Sequence, residues 1–358
     1  MHRKCRRHGA RRRRIVRSVQ LSQRIGQTFA GAAGRYVIDG VVGEGGMAIV
    51  YRAHRESDGA SVAVKMLNPG YRTIPEVGDR FSRERTLLRR LEHPNVVKYL
   101  DEGKSPDGDP FVALELLEGD TLDEVLEKGP LAVGRALAIT RELLGALSAL
   151  HAIGAVHRDI KPSNVMLARD GEREMVKLLD FGIALNARAA IKLTAAGSAF
   201  GTPEYISPEM ALGQPVDARA DLYGVGVMLF QMLTGRLPFV GRDPMETLKA
   251  HVSQPPPALA EVAPSLREAR ALQPFVSRAL SKDREARFAD ATAMADAIAA
   301  LRLPAPSSRR GLVVGIVALV IVAAVVALVM ALTSSPPPSA APSVDPAKPP
   351  KAPKAKRR

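Results

Sequence analysis

Residues 156–164 read Val-His-Arg-Asp-Ile-Lys-Pro-Ser-Asn and bring an acid, a base and an amide into one short loop. The carboxylate of Asp159 can accept a hydroxyl proton or orient the hydroxyl, and Lys161 can reach the oxygens of a transferred phosphate. Asn164 offers a neutral oxygen to a hard cation such as Mg²⁺, while Pro162 restrains the loop and the residue before it. The combination indicates phosphoryl transfer, although a solvated turn of the same composition is the alternative for so short a run.

The order H-R-D-x-K-P-x-N resembles the catalytic loop of eukaryotic-type Ser/Thr protein kinases. The resemblance implies a bilobal protein-kinase fold of the α+β class, with a small β-rich N-lobe and a larger helical C-lobe. It also implies ATP and Mg²⁺, with Mn²⁺ as a substitute, and catalytic roles for Asp159 and Lys161. The other elements of the family follow in order from about residue 36 to residue 301.

A glycine-rich stretch lies near the start of this region, where residues 43–51 read Gly-Glu-Gly-Gly-Met-Ala-Ile-Val-Tyr. Glycines let the N–H groups of a hairpin approach phosphate without an intervening Cβ, although an ordinary tight hairpin has the same composition. The stretch resembles the kinase Gly-rich loop, with Ala48 where the third glycine usually stands. By that resemblance the ATP-binding residues here are Val42, Gly43, Glu44, Gly45, Gly46, Met47, Ala48 and Val50.

A lysine follows within a strand of β-branched residues, Val62-Ala63-Val64-Lys65. In this setting Lys65 resembles the lysine that pairs with the α- and β-phosphates, and Ala63 belongs to the ATP-binding set. Residues 77–91 have helical composition and apolar spacing. Glu84 on that helix matches the acid that pairs with the lysine, although a solvated glutamate among neighbouring arginines is the alternative.

Residues 111–117 read as a further strand, bounded by turn residues on one side and Glu118-Gly119 on the other. By resemblance this strand leads into the hinge between the lobes. Leu114 would face the back of the nucleotide pocket, and backbone groups of Glu115 and Leu117 would bond the adenine.

A second carboxylate suited to a metal stands at Asp180, at the end of the predicted strand 175–179. The run Asp180-Phe181-Gly182 resembles the D-F-G metal site of kinases, whereas the same three residues alone could form a simple turn. The resemblance therefore implies that Asn164 and Asp180 hold Mg²⁺ on the phosphates.

The segment 180–209 resembles the kinase activation segment and closes with Gly-Thr-Pro-Glu-Tyr-Ile-Ser-Pro-Glu, a part that positions a protein substrate in the family. Thr202 matches the threonine that contacts the catalytic aspartate and lysine in Ser/Thr kinases, which argues against tyrosine specificity. Thr194 and Ser198 are candidate phosphorylation sites, where a phosphate would attract Arg158.

Three further residues have structural roles by the same resemblance. Asp221 matches the buried aspartate that braces the backbone of the catalytic loop. Arg287 matches the arginine that pairs with Glu209, and the presence of both avoids a costly unpaired buried charge. Residues 133–152 and 224–234 show the apolar patterns of helices.

The formal net charge of +14 belongs mainly to the ends of the chain. Residues 1–35 are rich in arginine and contain no acid, and they are predicted to form a basic, disordered arm; contact with nucleic acid or anionic lipid is the alternative. Residues 36–308 carry a net negative charge, so the central domain is not expected to bind nucleic acid. With Cys5 as the one cysteine, an intrachain disulfide is excluded.

An apolar run stands near the C-terminus, because residues 311–332 contain no polar side chain. As a helix it would span roughly 33 Å, enough for the hydrocarbon core of a bilayer, whereas a buried soluble helix is the alternative. Arg309-Arg310 favours a cytoplasmic N-terminal end. Residues 333–358 are rich in Pro, Ala and Lys and are predicted to be an unfolded tail.

The layout resembles that of bacterial transmembrane Ser/Thr protein kinases. The prediction is a single-pass cell-membrane kinase in bacterial signalling, with a cytoplasmic kinase domain, an extracytoplasmic tail and protein substrates. Alternatives are an ATP-binding pseudokinase scaffold and a small-molecule phosphotransferase, and the spacing of Gly311 and Gly315 leaves a homodimer open. The predicted segments are an arm (1–35), the kinase domain (36–301; N-lobe 36–117, C-lobe 118–301), a linker (302–310), the span (311–332) and the tail (333–358).

Overall fold

The computed structural model of the chain describes residues 23–45, 48–68, 75–171, 173–180, 203–304 and 319–330, without the side chains of residues 75, 76, 80 and 170. The chain divides into two compact units, Met1–Pro304 and Ala305–Arg358, and each is described by itself. The first unit combines a β-barrel, a small second sheet and a mainly helical region.

The N-terminal part of the first unit is a closed barrel with the strand order β1-β2-β3-β4-β6-β5. Neighbouring strands are antiparallel. Buried aromatic and branched side chains fill the interior, among them Phe29, Tyr36, Tyr51 and Phe111. The strands are β1 (Thr28–Gly31), β2 (Arg35–Glu44), β3 (Ala48–Arg55), β4 (Ser61–Leu67), β5 (Tyr99–Lys104) and β6 (Pro110–Glu115).

Strand β4 is buried on both faces, which explains how it can hold an internal lysine. Val64 and Met66 point into the barrel core, whereas Ala63 and Leu67 join the larger core of the unit. Since side chains alternate along a strand, Lys65 lies on the same face as Ala63 and Leu67. A lysine there requires acidic partners.

The structure corrects the predicted disordered arm of residues 1–35, because residues 23–35 belong to the folded unit. Phe29 in β1 is fully buried, and the main chain of β1 pairs with both β2 and β5. The Arg24 guanidinium is also buried and lies 2.9 Å from the carboxylates of Asp107 and Asp109. The basic composition of the segment favoured disorder. The contacts of β1 and Arg24 could not be predicted from a local pattern, because their partners are distant in sequence. Residues 1–22 lie outside the described part.

A second sheet has the strand order β7-β8-β9, formed by Gly119–Thr121, Val165–Asp170 and Arg173–Leu178. It is tied to the loop after helix α1 (Pro75–Leu88), since the Leu178 N–H donates to the Asn95 carbonyl at 2.9 Å and the Val97 N–H donates to the Leu178 carbonyl at 3.0 Å. These bonds fix the end of β9 relative to the barrel side of the unit.

The C-terminal part of the first unit is helical, as predicted for the C-lobe. Its centre is helix α5 (Arg219–Thr234), which is buried on all sides as expected of a helix without a polar face. A Cβ at Gly224 of α5 would approach the Ile160 Cβ to 3.0 Å, so glycine permits close packing on the catalytic loop. The helices are α2 (Leu122–Leu126), α3 (Val133–Ala152), α4 (Pro208–Ala211), α5 (Arg219–Thr234), α6 (Pro244–Ser253), α7 (Leu259–Val262), α8 (Ala269–Ala279) and α9 (Ala291–Ala299).

The helix predicted over 133–152 is confirmed with the same bounds, and the one predicted over 224–234 begins earlier, at Arg219. The apolar pattern did not predict the first turn because it includes Asp221, a polar residue that is nevertheless buried and hydrogen-bonded.

In the second unit, residues 319–330 form a helix with exposed apolar side chains. The rest of the predicted span, 311–318 and 331–332, lies outside the described residues, as does the tail 333–358. No helix among the described parts of the chain has both the length and the apolar character needed to cross a membrane.

Candidate active site

The loop from Val156 to Asn164 is fixed by the carboxylate of Asp221, which is 1% exposed at the start of α5. That carboxylate accepts the N–H of His157 at 2.8 Å and the N–H of Arg158 at 2.7 Å. Arg158 has a φ of 68°, the left-handed conformation that non-glycine residues rarely adopt. The aspartate therefore holds a strained turn of backbone, directly before Asp159.

His151, at the end of α3, is a member of this network that the sequence reasoning missed. Its Nε2 atom lies 2.8 Å from Oδ2 of Asp221. The available signal was a histidine six residues before His157, but the sequence pattern assigned that residue to the predicted helix and to no site.

His157 of the same loop is neutral. Burial lowers the pKa of His157, and this effect exceeds the opposite effect of Asp221.

The Asp159 side chain is oriented by two neighbours. Its Oδ2 atom accepts from Lys161 Nζ at 2.8 Å and from Asn164 Nδ2 at 3.0 Å, and the same amide donates to the Asp159 carbonyl at 2.8 Å. Because the Asn164 nitrogen is committed to Asp159, its side-chain oxygen remains for another ligand. Among the described residues, nothing donates to the second Asp159 carboxylate oxygen, which leaves that oxygen for an incoming hydroxyl.

Lys65 joins the barrel to the rest of the site through two carboxylates. Its Nζ atom lies 2.5 Å from Oε1 of Glu84 on α1 and 2.7 Å from Oδ1 of Asp180. Burial would lower the pKa of Lys65, but Asp180 and Glu84 together raise it above its ordinary value. The ammonium is therefore charged and held in place at neutral pH.

Asp180 follows β9 and completes the cleft. The Leu179 N–H donates to the Asn164 carbonyl at 3.0 Å, so the two predicted metal ligands stand on bonded segments. Burial would raise the pKa of Asp180, and the Lys65 ammonium overcomes that effect and lowers the pKa. The aspartate is therefore ionised, as a ligand for a hard cation must be.

The predicted Gly-rich loop is the turn between β2 and β3, and Gly46 and Met47 in it lie outside the described residues. The Gly45 N–H donates to the Ala48 carbonyl at 2.8 Å and closes the described ends of the hairpin. Ala48 pairs with Leu67 as an ordinary strand residue. A glycine is not required for that backbone, so the departure at Ala48 leaves the described hairpin intact.

The two strands of this hairpin connect it to the strand that carries Lys65. Gly43 pairs with Val50, and Val50 in turn pairs with Lys65 of β4. Val42 is 54% exposed, while Glu44 lies 3.4 Å from the Asn68 amide. Val50 therefore lies on the strand next to Ala63 of β4, and the predicted ATP-binding residues of β2 lie one strand further away.

At the predicted hinge, the side chain of Glu115 holds the end of β6 in place. The Glu115 carboxylate accepts from the Lys98 N–H at 2.8 Å and from Lys177 Nζ at 2.6 Å. The Glu115 N–H donates to the Lys98 carbonyl at 3.0 Å and so is not free for a nucleotide. The main chain of Leu117 has no partner among the described residues, and Leu114 is buried beside it.

Glu209 and Arg287 form a buried ion pair with two bonds of 2.8 Å. Burial would raise the pKa of Glu209, but hydrogen bonding to Arg287 lowers it. This pair anchors α4, the element that ends the predicted activation segment. Thr194, Ser198 and Thr202 lie outside the described residues.

The predicted catalytic and metal-binding side chains are thus linked by these contacts into one site, although they come from four separate stretches of the chain. Their chemistry suits phosphoryl transfer: a fixed ammonium, an ionised carboxylate beside an amide oxygen, and a second carboxylate oriented for a hydroxyl.

The chain is similar to known protein kinases. A family model described as a protein kinase domain matches residues 36–298. The serine/threonine-protein kinase pkn2 of Myxococcus xanthus is 42% identical over 269 residues, which is 75% of this chain and 32% of that protein. The serine/threonine-protein kinase PksC of Streptomyces coelicolor is 41% identical over 278 residues, or 74% of this chain and 48% of that protein.

Among solved structures, the PknI kinase domain of Mycobacterium tuberculosis is 31% identical, with a TM-score of 0.59 over 77% of this chain and 97% of that one. The chain spans between a third and a half of the length of the curated relatives named above. The kinase class predicted from the sequence is confirmed: this chain belongs to the protein kinase family and carries a bacterial serine/threonine protein kinase domain.

Proposed function

We propose that the chain transfers the γ-phosphate of ATP to serine and threonine hydroxyls of protein substrates in bacterial signalling. The observation that carries the proposal is the proximity of Lys65, Asp180, Asn164 and Asp159. Bonds of 2.7 Å join Lys65 to Asp180 and of 3.0 Å join Asn164 to Asp159, and the Leu179 N–H beside Asp180 donates to the Asn164 carbonyl at 3.0 Å. A pseudokinase scaffold would be expected to lack at least one of these four side chains.

The chain's own residues divide the work of the transfer. The Lys65 ammonium, locked by Glu84, binds and positions phosphate oxygens. Asp159 accepts a hydrogen bond from the substrate hydroxyl on its second carboxylate oxygen and orients that hydroxyl towards the phosphate. Lys161, bonded to Asp159, lies where it offsets negative charge on the moving phosphoryl group.

The residues present fit a magnesium ion. Its ligands would be the side-chain oxygen of Asn164, whose nitrogen is committed to Asp159, and the ionised carboxylate of Asp180. In the described part of the chain, no three acidic, histidine or cysteine side chains are arranged to hold a metal ion. In kinases Mg²⁺ typically takes its other ligands from phosphates and water. When bound, the ion neutralises charge on the β- and γ-phosphates.

Membrane anchoring through residues 311–332 is part of the proposal. It is supported by the absence of polar residues from that run and by the exposure of the apolar side chains in the described helix 319–330. Arg309-Arg310 favours a cytoplasmic kinase domain and an extracytoplasmic tail. If so, the full chain will stay in the membrane fraction after an alkaline wash, and a chain ending at Pro304 will not.

Autophosphorylation at Thr194 or Ser198 completes the proposal. Both are hydroxyl residues of the segment that joins the metal-site aspartate to α4, and Arg158 provides a charge partner for a phosphate. The expected result is phosphate on one of these residues in the purified chain. Undiminished activity in the double alanine variant would rule out an activating role.

The proposed activity is tested with the full-length chain, γ-labelled ATP, Mg²⁺ and casein. We expect label on casein and on the chain itself, and almost none with Asp159→Asn. Asp296→Asn, an exposed aspartate on α9, is the matched control and keeps wild-type activity. Wild type that transfers no more label than Asp159→Asn would replace the kinase proposal by the pseudokinase alternative.

A further inference from the structure

A polar cluster lies in the C-terminal half of the first unit, outside the nucleotide cleft. We call Tyr223, Phe239, His251 and Lys282 the Tyr223 cluster. Tyr223 and His251 are fully buried and Phe239 is 2% exposed. Tyr223 belongs to α5 and His251 to α6, while Phe239 precedes α6 and Lys282 follows α8.

Hydrogen bonds link the members of this cluster. Lys282 Nζ donates to Tyr223 Oη at 3.3 Å and to the Ala250 carbonyl at 3.4 Å. The Tyr223 Oη atom lies 2.9 Å from Nδ1 of His251. An ammonium can only donate, so the Tyr223 hydroxyl accepts from Lys282 and also bonds to His251.

The histidine of the cluster is neutral, because burial and the nearby Lys282 charge lower the pKa of His251 to about 3. Its Nε2 atom is fully buried, and the described residues offer that atom no hydrogen bond of good geometry.

Ring packing holds the same groups in place. The Phe239 and His251 rings are 4.9 Å apart at an angle of 63°, and Lys282 Nζ lies 3.8 Å from the centre of the Phe239 ring. On the Tyr223 ring, the Arg287 guanidinium lies 4.9 Å from the centre. These are favourable cation–π and edge-to-face arrangements, so the cluster has little freedom to rearrange.

The cluster reaches the turn Pro203–Tyr205, against which both α5 and α6 pack. On the α5 side, Tyr205 Oη donates to Gln231 Oε1 at 2.5 Å. The turn is therefore bonded to α5 through Gln231 and packs against α6, the helix that carries His251.

We infer that Lys282, Tyr223 and His251 are positioning residues that hold the 203–205 turn where a protein substrate binds next to Asp159. The inference rests on the proposed kinase function, since the turn directly follows Thr202 in the segment that positions substrates. The nucleotide contacts of Lys65 and Asp180 are on other elements. Disturbing the cluster should therefore weaken protein-substrate binding and leave ATP binding unchanged.

The kinetic experiment uses the full-length chain with casein and ATP. Tyr223→Phe keeps the ring and removes the central hydroxyl, and Lys282→Met keeps the stem and removes the donor. We expect each to raise KM for casein about fivefold, the effect of one lost hydrogen bond, with KM for ATP changed less than twofold. Lys282→Arg keeps a donor and a cation, so it should restore KM for casein to within twofold of wild type.

Hydrogen–deuterium exchange on the same proteins gives a readout that does not depend on activity. Amides of residues 204–212 should exchange faster in Tyr223→Phe and Lys282→Met, with α3 and α9 unchanged. A parallel rise in both KM values, failure of Lys282→Arg to restore binding, or exchange that is unchanged or faster throughout would each overturn the inference. If the wild type transferred no phosphate, the proposed function would be refuted. The exchange data would still decide whether the Tyr223 cluster holds the 203–205 turn.

Discussion

Replacing Arg287 by leucine tests how much the buried ion pair contributes to the stability of the folded protein. The guanidinium is 0% exposed and makes two bonds of 2.8 Å to Glu209. It also donates to the carbonyls of Ser281, Arg219 and Lys282 at 2.8, 3.1 and 3.2 Å. Removing one partner of a buried pair costs about 3–5 kcal/mol. At about 2–4 °C per kcal/mol for a domain of this size, Tm should fall by about 10 °C.

Thermal unfolding followed by circular dichroism measures this change. Repeating the measurement at lower pH tests the predicted sign of the pH dependence. In wild type the pKa of Glu209 is lowered, so its stabilising contribution exists above the ordinary carboxyl pKa and is lost as pH falls. In Arg287→Leu, burial without a partner would raise the pKa of Glu209. The cost of burying the unpaired Glu209 carboxylate then applies at neutral pH and is relieved when the group is protonated. The difference in Tm between wild type and Arg287→Leu should therefore decrease from about pH 7 to pH 4.

The matched control is Arg242→Leu, because Arg242 is 90% exposed in its pair with Glu246. Its loss should leave Tm within experimental error. Adding Glu209→Gln to Arg287→Leu should recover part of the lost Tm, since the unpaired buried charge is gone. The reasoning would be refuted if Arg287→Leu lowered Tm no more than Arg242→Leu does.

Three further outcomes are expected. Lys65→Met should reduce transfer from γ-labelled ATP at least about 100-fold while the far-ultraviolet circular dichroism stays as in wild type; retained transfer would exclude Lys65 from phosphate positioning. Gly103→Ala should lower Tm by several degrees, because the new Cβ would lie 2.0 Å from the Ala30 carbonyl oxygen, whereas Gly134→Ala, in open space on α3, should not lower it. Asp221→Asn should lower kcat for casein and leave KM for ATP nearly unchanged, as assays with ATP varied at saturating casein would show.

The cleft was predictable because each of its parts has a short local pattern. The order around Asp159, the lysine in its β-branched strand and the aspartate after a strand could each be read from a few neighbouring residues. Asp221 was identified in the same way, and its hydrogen bonds to the catalytic-loop backbone agree with the bracing role predicted for it.

Other features depend on partners that are far apart in sequence. His151 contacts Asp221 across seventy positions, and Arg24 meets Asp109 across eighty-five. The links of Lys282 to Tyr223 and of Tyr223 to His251 likewise join separate elements of the fold. Spacing along the chain does not reveal such contacts, because a fold has to bring the helices together first.

The closed barrel has a consequence for how the protein must be handled. Strand β1 covers the backbone of β2 on one side and of β5 on the other. A fragment that starts at Tyr36 would leave both strands with unsatisfied N–H and carbonyl groups along free edges, and such edges recruit strands from other molecules. Preparations beginning there should aggregate with time, and those that keep residues 23–35 should remain monodisperse.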